Sequence, residues 1–508
     1  MSKVITLGHK LTLEEFMDVV RYHAKVEFSE EYKAKIRKSR AMVEKCVDEA
    51  RPVYGTTTGF GKLVTQSIPK EQAELLQKNI ILTHSTSVGE PFGEEEVRAM
   101  MLMVLQSMGV GVTGVRLELA EMYREALNKN LIPYVPKEGS VGYLCAEAHI
   151  ATIMIGEGRA YYDGVLYDGK TALEKAGMKP IVLSYKEGLI LTNGVTSPTA
   201  MAAIAIYDMI RAVKTADIIG AMSLEGLNGI IKAYDPHITN CRPQEELIHT
   251  AENVRTILKD SEVIKAAKGS HVQDPLSLRC IPQMHGAAKR VLYNAKDVIE
   301  VELNSCADNP ILCGEGDDFD AFSNGNPDSS YVGLQMDAAC IAVTSVAKMS
   351  ERRNVRFLDT NLSGYPWFLV KEPGLNSGLM IPQYTQAGLL NDMRILCTPA
   401  SIDNVTTSAN QEDYVAMGYN ACKKSLTIVK NLEYVMAIEL MSVYQAQQFV
   451  DEGLERGQGS KVVYDLLKDR VPVMDVDMYL YPCLETLRDM IHSGELLEAV
   501  EKVTGPLK

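Results

Sequence analysis

The sequence predicts a mainly α-helical protein, and three observations carry that prediction. Long segments repeat apolar residues at helical spacing. Those segments are rich in Ala, Met and Leu, which favour helix over strand. Strand-like runs are short, and glycine- and proline-rich stretches separate the helical segments. Long helices joined by polar loops describe an all-α enzyme whose site forms where distant loops converge.

In chain order, examples of the helical segments are 94–108 ("EEEVRAMMLMVLQSM"), 200–222, 285–303, 332–352 ("VGLQMDAACIAVTSVAKMSER") and 422–448. Several are apolar over most of their circumference, as helices buried in a bundle or a subunit interface are. Strands are expected at 164–168 ("GVLYD") and 179–185 ("KPIVLSY"). Loops at 54–61, 133–142, 188–197, 269–283, 304–328 and 373–383 gather Asn, Gln, Arg, Tyr and His. A loop-rich N-terminal region, 1–200, is expected to precede a long-helix region, 201–508.

Composition narrows the function. The 508 residues suffice for a large core. A net charge of −14 argues against nucleic acid as a partner, because phosphate binding wants clustered Lys and Arg. No apolar run reaches the length of a membrane span. The start, "MSKVITLGHKLTLEEF", lacks the apolar core of an export signal, so a cytoplasmic location is expected. The 10 cysteines are scattered without a C-x-x-C pair, which argues for reduced thiols and against zinc or a disulfide framework. A small molecule is the default ligand.

Several motifs carry candidate chemistry. Gly109–Gly114 fits G-x-G-x-x-G, but it follows a helical pattern rather than a strand and reads as a helix-ending turn. "VYGTTTGFGKL" (53–63) suits neither helix nor strand; it presents Tyr54, either as a packed residue or as a base whose pKa its surroundings lower. "HVQDPLSLRCIPQMHG" (271–286) sets Gln273 and Arg279 in a polar run, for a surface ion pair or for a carboxylate. "NQEDYVAMG" (410–418) places Glu412 at an expected helix start, and "EGLILTNGVTS" (187–197) ends an apolar run at Asn193. His84, His149, His271 and His285 show no i, i+4 pairing, so no metal site is expected. "GSVGYLCAEAH" (139–149) is a tight turn entering a small-residue helix.

Taken in order, these segments resemble the aromatic amino acid ammonia-lyases, the histidine and phenylalanine lyases. The resemblance rests on "YGTTTGFG", "NIILTHSTSVGEPF", "EGLILTNG", "QDPLSLRCIPQMHG", "NSCADNP", "GLNSGLMIPQ" and "QEDYVAMG", and it covers nearly the whole chain. It implies a histidine ammonia-lyase-like fold with a central bundle of long helices. It also implies a homotetramer whose active sites draw on three subunits. By carry-over, Tyr54 takes the β-proton, Glu412 contacts the substrate ring, and His84 lies beside the ring. Arg279, Asn193 and Gln273 hold the carboxylate, and Asn309 is a structural or lining residue.

The chain departs from the family at its glycine turn. The family reads Gly-Ser-Val-Gly and then Ala-Ser-Gly, a triad that cyclises into an electrophilic methylideneimidazolone. Here Gly142 is followed by Tyr143-Leu144-Cys145, with three residues missing before His149. Leu276 stands at a family tyrosine, and Pro327-Asp328 at a family Phe-His. The expectation is a chain without a cofactor, the self-formed group being absent. A quaternary amine has no lone pair to attack an electrophile, so the expected reaction is loss of trimethylamine from an aromatic amino acid betaine. The branch this points to is ergothionase, converting ergothioneine to thiourocanate. Tyr143 and Tyr384 would cage the quaternary ammonium or simply pack, and Lys62 would assist an anion or stay solvated. The alternatives are an ammonia-lyase or aminomutase on a histidine-like amino acid, and a non-catalytic ligand-binding paralogue.

Overall fold

Local signals start several helices. Thr12 and Glu15 form a capping box ahead of Leu13–Val20, and the Ser29 hydroxyl accepts the Tyr32 N–H ahead of Glu30–Asp48. Glu94, Glu95 and Glu96 open the Glu94–Gly109 helix, where negative charge complements the dipole. Every residue from Val97 to Met108 in that helix is buried, so its apolar circumference is satisfied on all sides. The structure, a computed structural model, describes residues 3–63, 65–66 and 68–508.

Helix accounts for 59% of the chain, well above the roughly one-third usual for globular proteins. The five long segments run as Glu94–Gly109, Thr196–Gly226, Ile281–Glu302, Ser330–Leu358 and Gly418–Ala446. The Ser330–Leu358 helix is long and apolar enough to cross a membrane by length and composition, yet 67% of its apolar window is buried within the protein.

The chain divides into two compact units. The first holds Met1–Ala205, Lys296–Asp337 and Pro399–Lys423; the second holds Ile206–Ala295, Ala338–Thr398 and Lys424–Lys508. The first break falls beside the expected boundary at 200/201, but two later segments return to the first unit. Four long helices are continuous across the breaks, which is why the units are not consecutive in sequence.

In the second unit, buried charges join the long helices. Arg353 grips Glu439 through Nε at 2.5 Å and a terminal guanidinium nitrogen at 2.9 Å, both side chains being fully buried. The Ser223 hydroxyl donates to the same carboxylate at 2.6 Å. Asp217 accepts from Lys289 at 2.5 Å and pairs with His285 Nδ1 at 2.9 Å.

The first unit carries small sheets around its helices. Val165–Asp168 is the expected strand; it pairs antiparallel with Arg159–Tyr162 through a turn in which Asp163 and Gly164 both have positive φ. The strand expected at 179–185 does not form. That stretch is irregular: the Ile181 N–H donates to the Met154 carbonyl, while the Val182 and Tyr185 carbonyls accept from Arg116 and Arg40 side chains; an apolar run without a strand to pair with has no ladder. Gly109–Gly114 is a helix-ending turn, as expected. A Cβ on Gly109 would lie 2.3 Å from the Tyr32 ring, so glycine is there for packing. All 10 cysteines are free, and no metal-binding cluster occurs among the described residues.

Candidate active site

The threonines of the tyrosine loop explain its shape. Thr57 Oγ1 accepts the Val53 N–H at 2.8 Å and donates to the Arg51 carbonyl at 2.7 Å. Gly59 N–H donates to the Gln66 carbonyl at 2.8 Å. The loop thus satisfies its own backbone without helix or strand. Tyr54 projects from it half-buried, its hydroxyl oxygen accepting the Gly61 N–H at 2.8 Å. Burial raises the Tyr54 pKa; the Gly61 N–H opposes this and the Glu412 charge adds to it. The sequence-based condition for a base, a lowered pKa, is therefore not supplied by these neighbours.

His84 ends the Ala73–His84 helix. Its Nδ1 lies 2.8 Å from the Ile80 carbonyl, which only accepts, so Nδ1 carries the hydrogen and Nε2 holds a lone pair. Burial lowers its pKa, which keeps the ring neutral near pH 7, and the Glu412 charge acts against that shift.

Glu412 is the common neighbour. Its carboxylate accepts the Thr407 hydroxyl at 2.5 Å, and the two backbones form an isolated bridge. The expected helix start at Glu412 is thus corrected: the helix begins later, at Gly418. The intervening Ser408, Ala409 and Asn410 all have positive φ, a run of non-glycine strain of the kind that collects at functional loops. Tyr143 feels the same carboxylate: burial, then the Glu412 charge, push its pKa well above the tyrosine range. Thr407 was not singled out in the sequence; a threonine five positions before a glutamate carries no signal until the bridge forms.

The glycine turn is held by Ser140, whose hydroxyl donates to the Tyr143 carbonyl at 3.0 Å. Leu144 and Cys145 have φ of 66° and 68°, and Cys145 Sγ lies 3.6 Å from Thr86 Oγ1. Gly142 has φ 139°, and a Cβ there would meet Ser329 Oγ at 2.4 Å.

Asn193 donates through Nδ2 to the Asn309 carbonyl at 3.0 Å and to Asp308 at 3.4 Å. Lys186 and Asp308 form a fully buried ion pair behind it. The Asn309 side chain accepts the Asn324 N–H at 2.9 Å. Lys62 is exposed in a single turn, Gly61–Leu63. A cavity of about 620 Å³ in the same unit is lined by Glu302, Cys306, Asp328 and Tyr331 among others, and by none of the expected site residues. Asp328 links it to the cluster electrostatically, its charge raising the Tyr143 pKa.

Tyr54, Lys62, His84, Tyr143, Asn193, Asn309 and Glu412 belong to the first unit. Gln273, Arg279 and Tyr384 belong to the second. There Gln273 is exposed, and Arg279 is half-buried with Nε donating to the Asp274 carbonyl at 3.0 Å. Tyr384 is 67% exposed on the Met380–Leu396 helix.

A profile of the aromatic amino acid lyase family matches residues 11–469. Histidine ammonia-lyase of Streptococcus sanguinis (strain SK36) is 42% identical over 508 residues, covering 99% of this chain and 98% of that protein. The crystal structure of histidine ammonia-lyase from Trypanosoma cruzi superposes with a TM-score of 0.92 at 33% identity, over 99% of this chain and 95% of that one. Ergothionase from Treponema denticola superposes with a TM-score of 0.90 at 27% identity, over 97% of this chain and 100% of that one.

These likenesses correct two expectations. Trimethylamine elimination, with ergothioneine as substrate and thiourocanate as product, is overturned. Likeness to histidine ammonia-lyases extends over the full length at up to 42% identity, and it outweighs an inference drawn from a three-residue gap. The expectation of no cofactor is overturned with it, since histidine ammonia-lyases use a self-formed methylideneimidazolone. The residues at this turn do not fit that group. Tyr143-Leu144-Cys145 follow Gly142 with no cyclising Ala-Ser-Gly between, the Glu412 charge bears on the Tyr143 hydroxyl, and Ala146 already opens the next helix. The chain belongs to the aromatic amino acid lyase family and is a carbon–nitrogen lyase.

Proposed function

We propose that the chain is an ammonia-lyase acting on histidine or a closely related imidazole-bearing amino acid. The observation that carries this reading is Glu412, set among Tyr54, His84 and Tyr143 in a chain whose full-length relatives are histidine ammonia-lyases.

Glu412 suits an imidazole: a carboxylate accepts from the ring N–H and fixes the ring's orientation beside Tyr54. Tyr54 takes that proton. Its pKa stands high beside Glu412, and the substrate's ammonium supplies the positive charge that brings it down. Neutral His84 offers Nε2 as an acceptor at the ring. Within the first unit, Asn193 binds the carboxylate. The C–H electrons form the Cα=Cβ bond, and the Cα–N bond breaks with its pair leaving on nitrogen as ammonia. A homotetramer belongs to the same reading: Tyr331, Leu334 and Ile341 expose 71%, 58% and 49% of their surface on one helix, an apolar stripe suited to burial against another copy.

The test is a substrate panel. Purified protein is given L-histidine, L-phenylalanine or L-tyrosine, with ammonia and the ultraviolet absorbance of the conjugated acid followed together. Ammonia foremost from histidine is expected; no ammonia from any of the three contradicts the reading.

A further inference from the structure

Gln77 lies on the same helix as His84 and is fully buried. Its carboxamide works at both ends. Nε2 donates to the Gly55 carbonyl at 3.2 Å, and Oε1 accepts the Gly188 N–H at 2.8 Å. Gly55 follows Tyr54 in the tyrosine loop. Gly188 lies in the short Glu187–Ile190 helix that leads into Asn193. One side chain thus bridges the loop bearing Tyr54 and the segment bearing Asn193.

The surroundings are built tightly around that bridge. A Cβ on Gly188 would sit 2.4 Å from the Gln77 carbonyl oxygen, and one on Gly55, at φ +61°, would sit 2.6 Å from Leu189. The chemistry is specific to a carboxamide, which joins a donor and an acceptor in one plane. Glutamate keeps the acceptor but sets a carboxylate against the Gly55 carbonyl. Methionine keeps the length but serves neither backbone group, leaving both unpaired where water does not reach.

We propose that Gln77 is a positioning residue for Tyr54, clamping the tyrosine loop to the Asn193 segment while its own helix carries His84. The proposal rests on the assignment of Tyr54 as the base. A base displaced by about 1 Å loses on the order of 10²-fold in rate, and a loop otherwise held by its own threonines is free to shift by that much once the clamp is gone.

Gln77→Met and Gln77→Glu test it. With L-histidine, Gln77→Met is expected to lower kcat on the order of 10²-fold with little change in KM. In a Tyr54→Phe background the same change should cost nothing further. A Gln77→Met loss that multiplies onto that of Tyr54→Phe, or a rise in KM at unchanged kcat, overturns the proposal. Amide hydrogen exchange, which needs no turnover, separates this from the proposed function. The 53–62 segment should exchange faster in both variants, while 73–84 keeps protection near that of the parent. If the parent releases no ammonia from histidine the proposed function fails, and exchange still decides the clamp. Unchanged exchange at 53–62 in both variants rejects it.

Discussion

Tyr54 contributes one hydroxyl to a loop that otherwise satisfies itself, so its removal is clean. Tyr54→Phe loses only the acceptor for the Gly61 N–H. It is expected to lower kcat by about 10²–10⁴-fold, the contribution of a positioned base, with histidine affinity by calorimetry retained; unchanged turnover removes Tyr54 from the role. Thr407→Val deletes the 2.5 Å donor to Glu412 and is expected to raise KM for histidine, with a double variant showing no added effect from Glu412→Gln. At this scale Tyr54 stood out because a glycine- and threonine-rich stretch has no place in a helical core, whereas the expectations for His84 and Glu412 came from the resemblance. Thr407 and Gln77 were not. Their roles come from hydrogen bonds made after folding, to a bridge partner in one case and to two remote backbones in the other.

At the scale of elements, apolar spacing located five long helices, because a 3.6-residue period is a local property of the chain, but it did not single out Glu30–Asp48 or Met380–Leu396. It failed at 179–185, where strand formation depends on a neighbour elsewhere, and at Glu412, where a bridge took the place of a helix start. The charges between helices were silent in the sequence. Arg353→Met should cost about 3–5 kcal/mol in denaturant unfolding, since it strands Glu439 in the core, and adding Glu439→Leu should recover most of that; a small loss in the single variant contradicts this. The Ala146–Met154 helix carries the buried Glu147, whose carboxyl accepts the Ser197 N–H at 2.8 Å and the Thr196 hydroxyl at 2.9 Å. Burial raises its pKa above the ordinary 4.5 despite those bonds. A carboxyl raised in the folded state binds more protons there than when unfolded, so it costs stability as pH rises and ceases to do so as pH falls. Glu147→Gln should therefore melt higher than the parent at about pH 8, and the gain should vanish as pH falls toward 4.5. A gain independent of pH contradicts this.

The whole molecule explains which large-scale inferences held. Fold class and family were carried by many segments in fixed order, and no single departure disturbs them. The substrate was inferred from one turn, and that turn speaks only of what stands beside Gly142. Domain organisation was hidden because four helices each pass from one unit to the other, leaving no linker to read. The proposed homotetramer predicts a sedimenting mass of four times 56.0 kDa, and a monomer contradicts it. The central claim is that this chain cleaves the Cα–N bond of histidine with Tyr54 as base. The most direct measurement is the stoichiometry of ammonia and conjugated acid released from L-histidine by the parent and by Tyr54→Phe. Equal amounts of both products from the parent and a near-complete loss in the variant are predicted. Release of neither product from the parent, or undiminished release from Tyr54→Phe, would contradict the account.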